Sequence, residues 1–304
     1  MAQRAAYVTL LTKVEYLAGT LVLHEGLREA ASKFPLVVMA TPTLPKSARR
    51  VLTRRGIRVR EIEPLNPEDG VHTLAGADSR FQDTWTKLRA FELEEYERVV
   101  LLDSDMLVKH NIDELMAIRL PPEGIAAVHV CACNPRHFPH YPADWVPENC
   151  AFSAVHTPTA APPPPSDDPR PYGQLNSGTV VLQPSRSLAR RLYHFLATDE
   201  RVPSFSFPDQ DLLTTFFQGK WVSLPWYYNA LKTLRIVHST LWDDDVARCV
   251  HYILTDKPWK GRKSSAEEYQ VVNGWWWAQY DRLSAKLLAE DEDGWKLVSS
   301  TVNS

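Results

Sequence analysis

The chain has 304 residues, 44% hydrophobic and 23% charged, proportions that exclude wholesale disorder, collagen and coiled coil. Its 34 Lys and Arg against 37 Asp and Glu leave a net charge of −3, which gives no electrostatic case for nucleic acid or an acidic membrane as main partner. No apolar run approaches the roughly 18 residues that cross a bilayer.

In chain order, Ala6–Leu11 is a predicted strand. Tyr16–Phe34 carries Leu17, Leu21, Leu23, Leu27 and Ala31 close to helical spacing. Leu36–Ala40 is a predicted buried strand, stopped by Thr41-Pro42. Ser47–Arg55 reads as a helix with Gly56 as its C-cap, Ile57–Ile62 alternates as a strand, Thr84–Tyr96 is a helix, and Val99–Leu102 is a fourth, buried strand. This alternation predicts an α/β fold with a mostly parallel sheet flanked by helices.

From Pro121 to Pro171 prolines accumulate, including Pro162–Pro165, and helix is disfavoured. The segment reads as a long loop with a polyproline stretch. Regular structure returns at Thr179–Leu182 (strand), Ser187–Ala197 and Gln210–Phe217 (helices), Val250–Leu254 (strand) and a helical tail from Ser265. No internal repeat is visible. The expectation is one domain, residues 1–304, with a Pro-rich insertion at about 121–171 and a helical tail at about 265–304. Met1 to Thr12 lacks the regions of a signal peptide, and four cysteines do not make a disulfide scaffold. The expected location is the reducing cytoplasm.

The strongest local feature is Leu101-Leu102-Asp103-Ser104-Asp105, an apolar strand running into two aspartates. Ligands bind just outside the carboxyl ends of parallel strands. Two carboxylates there can hold a hard divalent cation that bridges a diphosphate, or they can simply cap the next turn. Leu175-Asn176-Ser177-Gly178 precedes a strand, as an ordinary turn or as a polar edge for sugar hydroxyls. Asp209-Gln210 opens a helix, where an acid is usually a cap. His251 stands six residues before Lys257-Pro258-Trp259, where a lysine can meet a diphosphate as a point charge.

Taken in this order, Asp103-Ser104-Asp105, Asn176-Ser177-Gly178, Asp209-Gln210 and His251 with Lys257-Pro258-Trp259 resemble the family 8 retaining glycosyltransferases, the glycogenin and galactinol synthase group. Val8-Thr9-Leu10 and Thr86-Lys87-Leu88 agree with it. The resemblance spans roughly Tyr7 to Trp259. It implies a GT-A fold, a Rossmann-like twisted sheet that binds a nucleotide sugar, with a UDP-sugar as donor and Mn²⁺ as metal, Mg²⁺ being the alternative. It implies Asp103, Asp105 and His251 as metal ligands and Lys257 on the diphosphate. Leu10, Thr12 and Tyr16 would line the uracil and ribose pocket, with Ser104 beside the nucleotide. Lys87 would sit near the donor phosphates and sugar, Asn176 and Ser177 would face the transferred sugar, and Asp209 and Gln210 its reacting face. Retention of configuration leaves two routes open, with Asp209 as nucleophile or as a positioning group in a same-face reaction.

Two departures from glycogenin-like chains stand out. Leu254 occupies a position where those chains carry glycine, so the backbone before Lys257 is expected to run differently. Ile236–Asp245 contains no tyrosine, which argues against self-glucosylation. The expected activity is therefore transfer of a hexose, glucose or galactose, from its UDP-sugar to a hydroxyl of an exogenous polyol, sugar or glycoconjugate. A self-glucosylating primer and a non-catalytic nucleotide-sugar-binding protein are the alternatives, and a homodimer is left open. His129, Cys131, Cys133, His137, His140 and Cys150 match no standard zinc spacing, and packed thiols are expected there.

Overall fold

A computed structural model describes residues 4–67, 83–139, 141–163, 170–262 and 267–303. His140, Pro164 and Pro165 lie outside the described residues, as do Ser265 and Ser304 of the expected tail. In chain order the elements are β1 (Ala5–Leu11), α1 (Leu17–Glu29), β2 (Leu36–Ala40), α2 (Lys46–Arg54), β3 (Arg58–Glu61), β4 (Arg98–Leu102), β5 (Met106–Val108), β6 (Ile125–His129), β7 (Leu175–Leu182), α3 (Arg186–Thr198), α4 (Pro208–Phe216), β8 (Trp221–Leu224), β9 (Ala230–Leu231), α5 (Leu234–Val237), β10 (Cys249–His251), α6 (Gln270–Glu290) and α7 (Glu292–Ser299). Among the described residues no helix is long and apolar enough to cross a membrane.

The residues group into two compact units: Glu63–Leu101 and Leu115–Trp226 with the chain up to Ala5 form the first, and Ala6–Ile62, Leu102–Glu114 and Tyr227–Ser304 the second. In the second unit β3, β2 and β1 are adjacent and parallel, with Val8 opposite Val37 and Val38 opposite Val59. β1 and β2 are buried almost throughout, as strands covered on both faces require. A Schellman arrangement ends α2. Gly56 adopts φ 73°, its N–H meets Thr53 O at 2.9 Å, and Ile57 N–H meets Leu52 O at 3.0 Å. A small sheet in the same unit has the order β5-β10-β9, with β10 antiparallel to β5 and parallel to β9.

In the first unit the sheet order is β4-β7-β6-β8. β6 runs parallel to β8 and antiparallel to β7, with a register shift between Ala127 and Val128. The α/β, mostly parallel expectation is met, with β7 running against its β6 neighbour.

Several elements differ from their sequence reading. The Pro121–Pro171 stretch is not loop throughout, because Ile125–His129 forms a fully buried strand. The alanines Ala126 and Ala127 made that strand inconspicuous. Residues Thr84–Glu92 form 3₁₀ rather than α-helical turns. Asn176-Ser177-Gly178 lies inside β7, not in a turn before it. The strand at Val250 stops at His251. The first helix ends at Glu29, followed by Ala31 at φ 55°.

Two glycines seven residues apart set how α1 packs. A Cβ on Gly19 would lie 2.5 Å from Ser104 O, and one on Gly26 2.6 Å from Val108 O. The helix therefore rests directly on the backbone that carries Asp103-Ser104-Asp105 and β5. Deeper in α1, Glu25 is almost wholly buried and pairs with Arg55, Arg28 and Lys286. Burial alone would raise its carboxyl, but the Arg55 hydrogen bond and the surrounding cations hold it below the usual range.

Gly19→Ala is expected to cost about 1–3 kcal/mol, since the backbone oxygen facing it must shift, read from urea denaturation. For Glu25 the depressed folded value means that its stabilisation is present above the unfolded value near ~4.3 and is lost as pH falls through the folded one. Glu25→Gln should therefore flatten the acid limb of the Tm–pH profile while lowering Tm at neutral pH.

Candidate functional site

Asp103, Ser104 and Asp105 follow β4 directly in the chain and belong to the second unit, where the chain turns at once into β5. The antiparallel register sets His251 opposite Met106, the residue after Asp105. Tyr252 N–H then donates to Asp105 O at 3.0 Å. Sheet pairing thus places the imidazole beside the two carboxylates. His251 Nε2 lies 3.2 Å from Asp105 Oδ1 and 3.6 Å from Asp103 Oδ2. Lys257 Nζ hydrogen-bonds Asp105 Oδ2 and, at 2.7 Å, Tyr252 O.

Exposure is 7% for Asp105, 4% for His251 and 8% for Lys257. Burial alone would raise the Asp105 carboxyl, but the Lys257 ammonium and His251 outweigh it and hold the group well below the usual carboxylate range. On the far side of the ring, His251 Nδ1 lies 2.8 Å from Asn229 Oδ1, and Asn229 is fully buried. An amide oxygen at that position accepts from Nδ1 and leaves Nε2 directed at Asp103 and Asp105, where a proton or a cation can stand. Bonds of about 2.1 Å in an octahedral site put neighbouring donor atoms about 3 Å apart, close to the spacings seen here. Ligand atoms of Asp103, Asp105 and His251 all lie within 4.8 Å of one another. Two carboxylates and an imidazole tied from behind fit a divalent cation.

The end of β1 holds the other second-unit candidates. Leu10, Thr12 and Tyr16 are half-buried, and Tyr16 meets Trp259 edge-on at 5.4 Å. Leu254 adopts φ 73°, the left-handed conformation that glycine favours. The turn therefore holds a left-handed conformation with leucine in it. Lys232, fully buried, donates its Nζ to Asp256 O at 2.7 Å, and its N–H meets His251 O at 3.0 Å. Sequence reading passed over Asn229 and Lys232. Their one signal was a polar pair set among apolar residues just after Trp226.

The first unit gathers a separate polar set. Lys87 Nζ lies 3.0 Å from Asp209 Oδ2, and Asn176 Nδ2 donates to Gln210 Oε1 at 3.0 Å. Pro208 occupies the first turn of α4, where its missing N–H costs nothing. Asp209, Gln210 and Ser177 are all buried. Of the cysteine and histidine candidates, Cys131, Cys133 and Cys150 come together and carry thiols. His129 and His137 stand outside that cluster. The Nδ1 of His129 meets Tyr172 O at 2.8 Å, and burial pushes its pKa down to about 4. Hydrogen bonds from the Cys131 thiol to Cys133 and Cys150, together with burial, push that thiol well up. Cys133 is pushed up to about 12, the Cys131 bond pulling down and Cys150 and burial prevailing.

The sequence pattern described as glycosyl transferase family 8 matches residues 7–263. The chain belongs to that family. Galactinol synthase 1 of Solanum lycopersicum is 34% identical over 279 residues, covering 89% of this chain and 80% of that protein. Galactinol synthase 3 of Arabidopsis thaliana is 31% identical over 283 residues, covering 90% and 80%. The solved galactosyltransferase LgtC, in complex with donor and acceptor sugar analogs, aligns with a TM-score of 0.62 at 15% identity over 91% of this chain and 95% of that one. The glycosyltransferase GlyE of Streptococcus pneumoniae TIGR4 aligns at 0.59 and 16% identity over 99% of this chain and 65% of that one. These two likenesses are of fold. The chain is a family 8 hexosyltransferase with a GT-A fold.

At Leu254 the family member should accept glycine and resist β-branching. Leu254→Val is expected to lower stability by about 1 kcal/mol or more, because a branched side chain at positive φ is strained. Leu254→Gly should fold with a Tm close to wild type. Thermal melts of the two variants check this.

Proposed function

We propose that this protein is a metal-dependent retaining transferase that moves galactose from UDP-galactose to a hydroxyl of a cyclic polyol, inositol being the reference acceptor. The donor and acceptor rest on the galactinol synthases, whose name states that they make galactinol. The observation that carries metal dependence is the convergence of the Nε2 of His251 with both aspartates while Asn229 holds Nδ1.

Asp103, Asp105 and His251 would hold Mn²⁺, or Mg²⁺, which when bound neutralises the charge that grows on the departing UDP. The remaining roles belong to the chain. Asn229 fixes the tautomer and orientation of His251. Lys257 adds a positive charge that the diphosphate can share with Asp105. Ser104 serves the nucleotide, and Leu10, Thr12 and Tyr16 serve the base and ribose, Tyr16 by offering a ring face for stacking. In the first unit, Asn176 and Ser177 bind sugar hydroxyls. Lys87 neutralises Asp209, and Gln210 is aligned by Asn176.

A carboxylate whose oxygen is engaged by an ammonium is a weakened nucleophile. This favours Asp209 as a group that orients the sugar. Same-face attack then proceeds with the acceptor hydroxyl giving its proton to the leaving phosphate oxygen as the new C–O bond forms. The product keeps the anomeric configuration of the donor, and UDP leaves.

UDP release with Mn²⁺ should require both UDP-galactose and inositol. Asp105→Ala should reduce it ~10²–10⁴-fold, the value of a few kcal/mol of lost charge stabilisation, and Asn229→Ala should weaken Mn²⁺ affinity ~10–100-fold. Hexose added to the protein itself, read by intact mass, would instead establish the self-glucosylating alternative. Failure to release UDP with any acceptor would establish the binding-protein one.

A further inference from the structure

The transfer reaction proposed above does not use Cys131, Cys133 and Cys150, and the first unit brings them to one point. Cys131 and Cys133 follow β6 directly. Val130 N–H still bonds Gln174 O at 3.0 Å, so the chain remains extended there. In extended backbone, residues two apart project to the same side, which aims both thiols one way. The third thiol arrives from further along the insertion. A 3₁₀ turn, Pro147–Asn149, ends at Cys150, whose N–H meets Pro147 O at 3.1 Å, and a second turn, Ala151–Ala154, starts from it. The three Sγ atoms lie within 4.8 Å of one another. Zn–S bonds of about 2.3 Å in a tetrahedron put sulfurs about 3.8 Å apart, so a small closure makes a binding triangle. Cys133 and Cys150 are buried at 5% and 2% exposure, and Ala132 and Ala151 beside them are wholly buried. The sulfurs are therefore held in place rather than presented on a loose loop.

We propose that Cys131, Cys133 and Cys150 form a structural zinc site that staples the two ends of the 131–150 segment together. Three thiolates are a soft donor set that selects Zn²⁺ over the hard cations suited to carboxylates. The fourth tetrahedral position is completed by an imidazole or by water. Binding replaces the thiol protons, which leave to solvent, and changes no oxidation state.

The segment so stapled has a clear use within its unit. Trp145 stacks on Phe207 with centroids 5.1 Å apart and planes 15° from parallel, and Tyr141 meets the same ring edge-on at 5.2 Å. Phe207 is the residue that leads into α4, two positions before Asp209. Closing the segment at its cysteines holds these aromatic rings against the start of that helix. Between the cysteines and the rings, Asn134 and His137 both take positive φ in a tight turn, with His137 N–H on Asn134 O at 2.9 Å.

The test uses the full-length protein loaded with Zn²⁺, freed of excess metal by gel filtration, and assayed by elemental analysis. Cobalt replaces zinc in a parallel sample, because Co²⁺ bound by thiolates shows an intense near-ultraviolet charge-transfer band that carboxylate sites lack. Roughly one zinc per chain is expected, together with that band. Cys131→Ser and Cys150→Ser should each lose the band while Asp105→Ala keeps it, which separates this site from the carboxylate one. Cys249→Ser, a buried cysteine of the other unit, should leave the band unchanged. Circular dichroism melts confirm that the serine variants are folded, and zinc-free wild-type protein gives the same comparison without any mutation. Wild-type protein retaining no zinc after loading, or a cobalt spectrum without the thiolate band, overturns the proposal whatever the transferase assay shows.

Discussion

An ionised carboxylate at 7% exposure must be compensated or it does not stay ionised. Asp105 meets that demand with Lys257 on one oxygen and His251 facing the other. Both partners come from a distant part of the sequence, so the second unit has to bring β10 beside β5, and its register is fixed by the same need. A slip of one residue would turn the side chain of His251 to the opposite face of the small sheet. The backbone bond from Tyr252 N–H to Asp105 O locks that register where the charges meet. Gly19 and Gly26 belong to the same constraint, since any larger residue in α1 would push on the backbone that carries the aspartates.

Much of this was legible before any coordinates. β1, β2 and β4 announce themselves as apolar runs, and an Asp-x-Asp pair directly after an apolar strand already names the end of β4. His251 and Lys257 were recognisable only through the order of motifs around them, because nothing in the local sequence says that a histidine will meet carboxylates so far back in the chain. What stayed hidden has a physical reason in each case. β6 is Ile-Ala-Ala-Val-His, low in the bulky residues that mark strands, and it lies in a proline-rich stretch. Asn176-Ser177-Gly178 reads as a turn because small polar residues prefer turns, but its place in β7 is set by pairing with β6, a tertiary choice. Asn229 looks like an ordinary turn residue, and its function lies in one hydrogen bond to a ring nitrogen that only the fold supplies.

The first unit's polar pairs show a related economy of means. Asn176 reaches Gln210, and Lys87 reaches Asp209, so two neighbouring residues at the start of α4 are each held from a different element. Such pairing fixes side-chain rotamers before any substrate arrives, which is where an enzyme gains most from preorganisation. It also moderates Asp209: the Lys87 ammonium draws on the same electron density that nucleophilic attack would need.

The turn between His251 and Lys257 completes this logic. Leucine at φ 73° is costly, and such a conformation persists only where its surroundings over-determine it. Here they do. Lys232 N–H holds the carbonyl of His251 at the start of the turn, and Lys232 Nζ holds the carbonyl of Asp256 near its end. Lys257 Nζ bonds back to Tyr252 O while gripping Asp105. One buried lysine therefore clamps the turn from outside and a second closes it from within. The strain at Leu254 is the cost of placing the ammonium of Lys257 against Asp105, and the four bonds that hold the turn also make the position of that ammonium independent of whether the residue at 254 is glycine.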